Sequence, residues 1–276
     1  MTLSTDDFKF LCKLIKDRSG INLNEEKAYL LDARLLPVAR KMGLVNLAEL
    51  VAKIKSAPDE SLLVEIIEAM TTNETSFFRD ITPFNQFRDN IMPHLLQNSS
   101  DKNIRLWSAA CSTGQEAYSL AMTFLENKAK YGDSKLSIVG TDIDRNVIKK
   151  AEEALYSQFE VQRGLPITML VKYFVQQQAP ADKWAIKPEL KEIVKFRYLN
   201  LLENYNDMGK FDMILCRNVL IYFEPDIKMK ILNKLCDCMK PHSILMLGSA
   251  ETITDLSSTR LEKFEDLRVV YKLKTA

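Results

Sequence analysis

Beyond about residue 100 the chain changes texture: short apolar runs at Ile104–Ser108, Leu136–Thr141, Val194–Tyr198, Phe211–Leu215 and Ser243–Leu247 are separated mostly by segments of helical periodicity. That alternation specifies an α/β fold on a largely parallel sheet, because parallel neighbours need a crossover connection and helices supply it. Two last runs, Leu261–Phe264 and Arg268–Leu273, read as a terminal hairpin added to the sheet edge. About 53 residues separate the second run from the third, far more than one crossover helix requires, so an insertion is expected between them.

No strand signal precedes residue 100. Phe8, Leu11, Cys12 and Ile15 recur at helical spacing, and Ser19-Gly20 reads as a stop. A second helix is expected from Glu25 to Met42, ended by Gly43 and kinked at Pro37, followed by helices over Leu47–Ser56 and Asp59–Met70. The N-terminal quarter is therefore expected to be a small all-α domain.

Composition narrows the function classes. With 276 residues, 46% of them hydrophobic, the chain can bury one large core or two modest ones. Lys+Arg 38 against Asp+Glu 37 argues against a general nucleic-acid or anionic-membrane binder. No apolar run approaches the roughly 20 residues of a spanning helix, and MTLSTDDFKF carries acids where a signal peptide carries Lys or Arg, so a cytoplasmic protein without direct membrane insertion is expected. Five scattered cysteines in that setting read as structural thiols, and two distant histidines, His94 and His242, make a metal site unexpected.

The sharpest local signal is Ile104 through Ala121, where a strand runs into a turn of small residues with Gly114 and then into a helix. Such a junction brings backbone N–H groups to a ligand at the strand's carboxyl end, although an ordinary tight turn has the same outline. G-x-G-x-x-G is absent, and so is a P-loop lysine. The second strand ends in Gly140-Thr141-Asp142-Ile143-Asp144. A carboxylate there can accept both hydroxyls of a ribose, and either acid can also cap the following helix; one acid in each role satisfies both readings. Asn73 through Asp80 lies ahead of the α/β region, with Phe77 and Phe78 as anchors or plain core and Arg79 turned inward. Arg217-Asn218 ends the strand that starts at Phe211, at the same sheet edge as Gly114.

On these residues the sequence resembles the CheR family, S-adenosylmethionine-dependent methyltransferases that esterify glutamate side chains of chemotaxis receptors. The likeness rests on Thr72–Asp80, Trp107–Met122, Gly140–Asp144 and Phe211–Phe223, with Tyr198–Leu202 between them, and spans nearly the whole chain. It implies a helical N-terminal domain over 1–72, a linker over 73–98 and a Rossmann-like methyltransferase domain over 99–276, with a small antiparallel β-subdomain inserted at 155–193. Carried over by motif, Asn73, Thr75 and Arg79 contact the cofactor from the linker, and Gly114 shapes its turn. Glu116 and Asp142 hold its amino-acid and ribose parts, Asn200 and Leu201 flank its adenine, and Arg217 with Asn218 closes the site. Arg79 and Tyr222 are the expected catalytic residues. Arg34, Arg40 and Lys41 form the stripe expected to face the helical bundle of a methyl-accepting receptor, although residues 1–72 as a whole hold ten Lys/Arg against eleven Asp/Glu.

Two departures from the wider pattern stand out. The glycine-rich turn is reduced to Gly114, and Val175 through Trp184 contains no glycine. Some family members use a glycine-rich loop there to hold a receptor's C-terminal pentapeptide, so that tether is not expected here. No nucleic-acid partner is expected, and a monomer is. A methyltransferase on another acceptor, or a cofactor sensor without turnover, are the alternatives.

Overall fold

Most helices of the N-terminal quarter begin at a residue that can cap them. The computed structural model describes residues 3–178, 182–253 and 255–274. Ser4 Oγ accepts the Asp7 N–H at the start of α1 (Thr5–Ser19), and Gly20, left-handed at φ 78°, ends that helix by donating to the Lys16 carbonyl. A 3-10 turn over Glu25–Lys27 leads into α2 (Ala28–Lys41). The expected helix from Glu25 is thus split: no side chain caps α2, and the uncapped first turn tightens instead. Asn46 caps α3 (Leu47–Ser56), and Asp59 caps α4 (Glu60–Met70).

The apolar faces of these four helices meet. Leu11 and Ile15 of α1, Leu31 and Leu35 of α2, Leu50 of α3 and Ile66 of α4 are all within 1% of full burial. By contacts the chain divides into two units, Met1–Thr72 with Tyr222–Lys228, and Asn73–Ile221 with Met229–Ala276. In the first, the Tyr222 carbonyl accepts the Asn22 N–H at 3.0 Å, and Lys16 pairs with Glu224 at 2.7 Å.

The second unit carries β1 (Asn103–Ala109), β2 (Lys135–Asp142), β3 (Leu155–Ser157), β4 (Phe174–Gln176), β5 (Lys183–Ile186), β6 (Val194–Tyr198), β7 (Phe211–Cys216), β8 (Met239–Leu247), β9 (Leu261–Lys263) and β10 (Val270–Leu273). One sheet runs β6-β2-β1-β7-β8-β10-β9, parallel from β6 through β8, with β10 and β9 antiparallel at the edge. The expected α/β architecture and its terminal hairpin are present. β8 begins earlier than its apolar run: the register with β7 shifts between Phe211 and Met213, beside the Lys240-Pro241-His242 stretch. Proline and a local irregularity hide a strand from period-two reading. A second, antiparallel sheet, β3-β5-β4, fills the long gap between β2 and β6. Residues 179–181 of the loop read for a peptide tether lie outside the described residues.

From β1 the chain crosses to β2 on one side, and after β6 it returns to β7 on the other side of β1. A reversal of this kind opens a crevice at the carboxyl ends of the central strands. Ala109, Asp142, Tyr198, Cys216 and Leu247 are those ends.

Candidate cofactor and active site

The turn after β1 is held in an unusual backbone. Ala110, Ser112 and Gly114 are left-handed, at φ 58°, 51° and 89°. A non-glycine residue pays of order 1–3 kcal/mol for such a conformation and keeps it only where its surroundings dictate it. The surroundings here are specific: Cys111 N–H donates to the Thr141 carbonyl at 2.9 Å, Gly114 N–H to the Cys111 carbonyl at 3.0 Å, and Tyr156 Oη to the Thr113 carbonyl at 2.7 Å. A Cβ on Gly114 would lie 2.9 Å from Phe196 Cζ and 3.0 Å from Ala151 Cβ, so both backbone angle and space require glycine. Gly114 then heads the helix Gln115–Glu126.

Asp142, 5% exposed, ends β2. Its Oδ2 accepts the Ser112 N–H at 2.8 Å and its Oδ1 the Asp144 N–H at 3.1 Å, leaving a lone pair on each oxygen for a further donor. Burial pushes its pKa up to about 6; the hydrogen bonds from Asp144 and Ser112 oppose that rise, and the neighbouring Asp144 charge adds to it. Asp144 is the acid that caps the next helix. Its Oδ1 accepts Asn146 and Val147 N–H, and its Oδ2 accepts Asn73 Nδ2 at 2.7 Å. Ser112 Oγ donates to the Asn73 carbonyl at 2.8 Å, which fastens the 73–80 segment to this turn.

A second cluster lies on the β7 side. Arg217, its side chain 2% exposed, donates through Nη1 to Glu116 Oε2 at 2.7 Å and through Nη2 to Asp80 Oδ2 at 2.8 Å. Glu116 Oε1 accepts Ser108 Oγ at 2.8 Å. Among the described residues, Arg217 Nε is a buried donor without a hydrogen-bond partner. Buried donors are rarely left so, and this one marks a place for an acceptor. Asp80 reaches Arg217 from a bent backbone: Phe78, Asp80 and Ile81 have φ of 51°, 69° and 44°. Phe77 and Phe78 are buried, Phe77 edge-on to Tyr156 and Phe174 with centroids 5.0 and 5.5 Å apart. They are core, the plainer of the two readings.

The remaining expected residues fall as follows. Thr75 is half-buried, and Arg79, also half-buried, donates through Nη1 to the Glu74 carbonyl at 2.8 Å. Asn200 and Leu201, both 7% exposed, follow β6, whose end is tied to β2 by Leu199 N–H donating to the Asp142 carbonyl. Asn218 is left-handed at φ 60°. Tyr222 belongs to the helical unit. There too, Arg34 donates through Nη1 to the Met70 and Thr71 carbonyls, both at 2.7 Å, and through Nη2 to Thr72 Oγ1 at 3.0 Å, while Lys41 pairs with Glu65 at 2.8 Å and Arg40 is exposed. Sequence reasoning assigned nothing to Ser112, Asp80 or Glu251; Ser112 and Asp80 lie in motifs already singled out, whereas Glu251 lies in none.

Chemically, the edge pairs a buried acid suited to a vicinal diol with an acid and an arginine suited to an amino-acid head. The cysteines are free thiols, and burial raises Cys111 well above its ordinary pKa, with Asp142 and Glu116 adding to the rise. Such a thiol is protonated and inert at neutral pH.

Comparison with known proteins agrees with this chemistry. A family model described as CheR methyltransferase, all-alpha domain, matches residues 6–71, and one described as CheR methyltransferase, SAM binding domain, matches residues 73–269. Chemotaxis protein methyltransferase 1 of Vibrio cholerae is 37% identical over 280 residues, covering 99% of either chain. Chemotaxis protein methyltransferase 1 of Pseudomonas aeruginosa is 38% identical over 259 residues, covering 93% of either chain, and the Salmonella typhimurium chemotaxis protein methyltransferase 32% over 260 residues, covering 93% of this chain and 87% of its own. The cofactor is S-adenosylmethionine. The site fits it: Asp142 has free lone pairs for a ribose diol, Arg217 Nε lacks only an acceptor such as a carboxylate, and Glu116 suits an ammonium group. With family models over both units and relatives matched from end to end, the chain belongs to the CheR methyltransferase family.

Proposed function

We propose that this chemotaxis protein methyltransferase forms methyl esters on glutamate side chains in the cytoplasmic helical bundle of chemoreceptors. The observation that carries the proposal is the end-to-end likeness to chemotaxis protein methyltransferases, and an acceptor that needs no base is consistent with it. A glutamate of pKa about 4.3 is already ionised at neutral pH, so its oxygen needs no proton removed. Burial drives the titratable groups around the turn, Cys111, Tyr118 and Tyr156, toward their protonated forms. They pack and orient rather than accept protons.

The cofactor supplies a methyl group made electrophilic by a sulfonium. Everything else is alignment and exclusion of water by the chain. Asp142 holds the diol, with Asp144 donating its N–H to it, and Asn73, hydrogen-bonded to Asp144, contacts the cofactor from the 73–80 segment; Asn200 and Leu201 border the adenine. Glu116 and Arg217 take the amino-acid head, with Gly114 and Asn218 shaping the turns that carry them, and Thr75 adds a contact from the 73–80 segment. Arg79 orients the acceptor carboxylate through its planar fork, and Tyr222 is the second residue proposed to act in catalysis. Neither should grip equally in ground and transition states, since uniform binding lowers KM without raising kcat.

On α2 the receptor-facing role falls to Arg40 and Lys41. Arg34 supports that stripe only indirectly, because its guanidinium is engaged with Met70, Thr71 and Thr72. In this proposal the enzyme works as a cytoplasmic monomer on a protein substrate without a pentapeptide tether and without nucleic acid.

The test is methyl transfer from labelled S-adenosylmethionine to chemoreceptor cytoplasmic fragments, read as base-released methanol. Receptor-dependent release that disappears with Asp142→Asn supports glutamyl ester formation. Absence of release by a protein that binds S-adenosylhomocysteine and is given a panel of receptor fragments would count against it.

A further inference from the structure

Glu251 is buried, 5% exposed, beyond the end of β8, and its carboxylate accepts four backbone N–H groups. Oε2 takes those of Asn218 and Gly248, both at 2.7 Å; Oε1 takes those of Leu220 at 2.7 Å and Ile221 at 3.3 Å. Three of the four donors belong to the turn that leaves β7 immediately after Arg217. That turn has few partners of its own: it passes through a left-handed Asn218 into the 3-10 turn Leu220–Tyr222, too short to satisfy its leading N–H groups internally. A charged acceptor inside the protein supplies them, and hydrogen bonds to an ionised acceptor are the strong ones.

We propose that Glu251 is a positioning residue of the cofactor site. Its carboxylate fixes the backbone of Asn218 and so sets where Arg217 delivers its guanidinium to Glu116 and Asp80. The inference rests on the reading of Arg217 and Asn218 as cofactor residues. Gly248 belongs to the same device: a Cβ there would lie 2.6 Å from Glu251 Oε2 and 2.8 Å from the Asn218 nitrogen. Backbone at that distance cannot swing aside as the end of a long side chain would.

A control separates positioning from mere stability. Asp212, 8% exposed at the other end of β7, also accepts a backbone N–H, that of Arg105 at 2.8 Å, together with Lys240 Nζ. In the full chain, Glu251→Gln places an amide N–H₂ against backbone donors, and Gly248→Ala pushes the turn while leaving the charge in place. Asp212→Asn perturbs the sheet far from the cofactor edge. Each variant is measured for thermal midpoint, S-adenosylhomocysteine affinity by calorimetry, and separate kcat and KM values for S-adenosylmethionine and for a receptor fragment.

Glu251→Gln and Gly248→Ala are each expected to weaken S-adenosylhomocysteine binding at least tenfold and to raise KM for S-adenosylmethionine in step, with KM for the receptor fragment unmoved. Asp212→Asn should lower the midpoint and leave cofactor affinity within twofold. A folded Glu251→Gln protein that binds within twofold of the parent overturns the inference, as does an Asp212→Asn protein that loses as much affinity. Should Glu251→Gln fail to fold, Gly248→Ala alone decides by the same margins. A parent protein that bound no S-adenosylhomocysteine would instead remove the cofactor reading, and this inference with it.

Discussion

Cofactor affinity should depend on pH through Asp142. Its folded pKa of about 6 stands above the ordinary 3.8 because the carboxyl is buried. Between those values the folded chain holds a proton that the unfolded chain has released, so this group favours the fold most below about pH 4. Its contribution then declines as pH rises to about 6, a cost of about 3 kcal/mol to the ligand-free protein at neutral pH. In the proposed site, a ribose diol donating to the ionised carboxylate would offset that cost. Binding therefore favours the charged form. About nine-tenths of Asp142 is ionised at pH 7 and about one-tenth at pH 5, so S-adenosylhomocysteine affinity should fall about tenfold, ~1.4 kcal/mol, over that interval. Calorimetric titrations from pH 5 to 8, with folding checked at each pH, read the effect. Asp142→Asn should bind weakly throughout and show a flat profile across pH 5–7. An affinity of the parent protein that stays constant from pH 5 to 7.5, or an equal slope in the Asn variant, would refute the assignment of the diol to Asp142.

Three further outcomes follow from the geometry. Arg217→Ala leaves Glu116, its side chain 14% exposed, without its cation and should cost about 2–4 kcal/mol of stability and abolish measurable cofactor binding, read by chemical denaturation and calorimetry. Gly114→Ala meets Phe196 and a φ of 89°, so it should lower the thermal midpoint and cofactor affinity together, and a second change of Phe196→Leu should restore only the part due to crowding. Arg34→Ala should destabilise the helical unit by about 2–3 kcal/mol with cofactor affinity unchanged, whereas Arg40→Ala with Lys41→Ala should leave stability within about 0.5 kcal/mol and reduce receptor methylation.

What could be read from the sequence was what is local. Gly20, Asn46 and Asp59 mark helix ends by their own chemistry, and β6 spans the same residues as its apolar run. The small sheet announced itself only as excess length between two strands. A cap at the end of β2 was legible with Asp142 and Asp144 both open, and the role falls to Asp144, whose donors lie two and three residues on. The rest is non-local. Asp80 meets Arg217 across 137 positions, and Glu251 meets Asn218 across 33, distances over which no periodicity or motif operates. The partners of Arg34 were hidden for the same reason: it lies on α2, while they are the last residue of α4 and the two residues after it. The start of β8 was hidden by the proline that its irregular register accommodates.

The contact of Tyr156 with Thr113 bears on how the inserted sheet could be taken apart from its host. Tyr156 is fully buried in β3, donates to the carbonyl beside Gly114, and meets Phe77 edge-on; a Cβ on Gly164 in the same insertion would lie 2.2 Å from the Phe77 carbonyl. The insertion is therefore masonry rather than an attachment. Excising residues 155–193 to make a shorter enzyme would open the floor beneath Thr113 and strip one wall from Phe77. Exchanging the small sheet for that of a relative should succeed only when Tyr156, Gly164 and Phe77 travel together as one set.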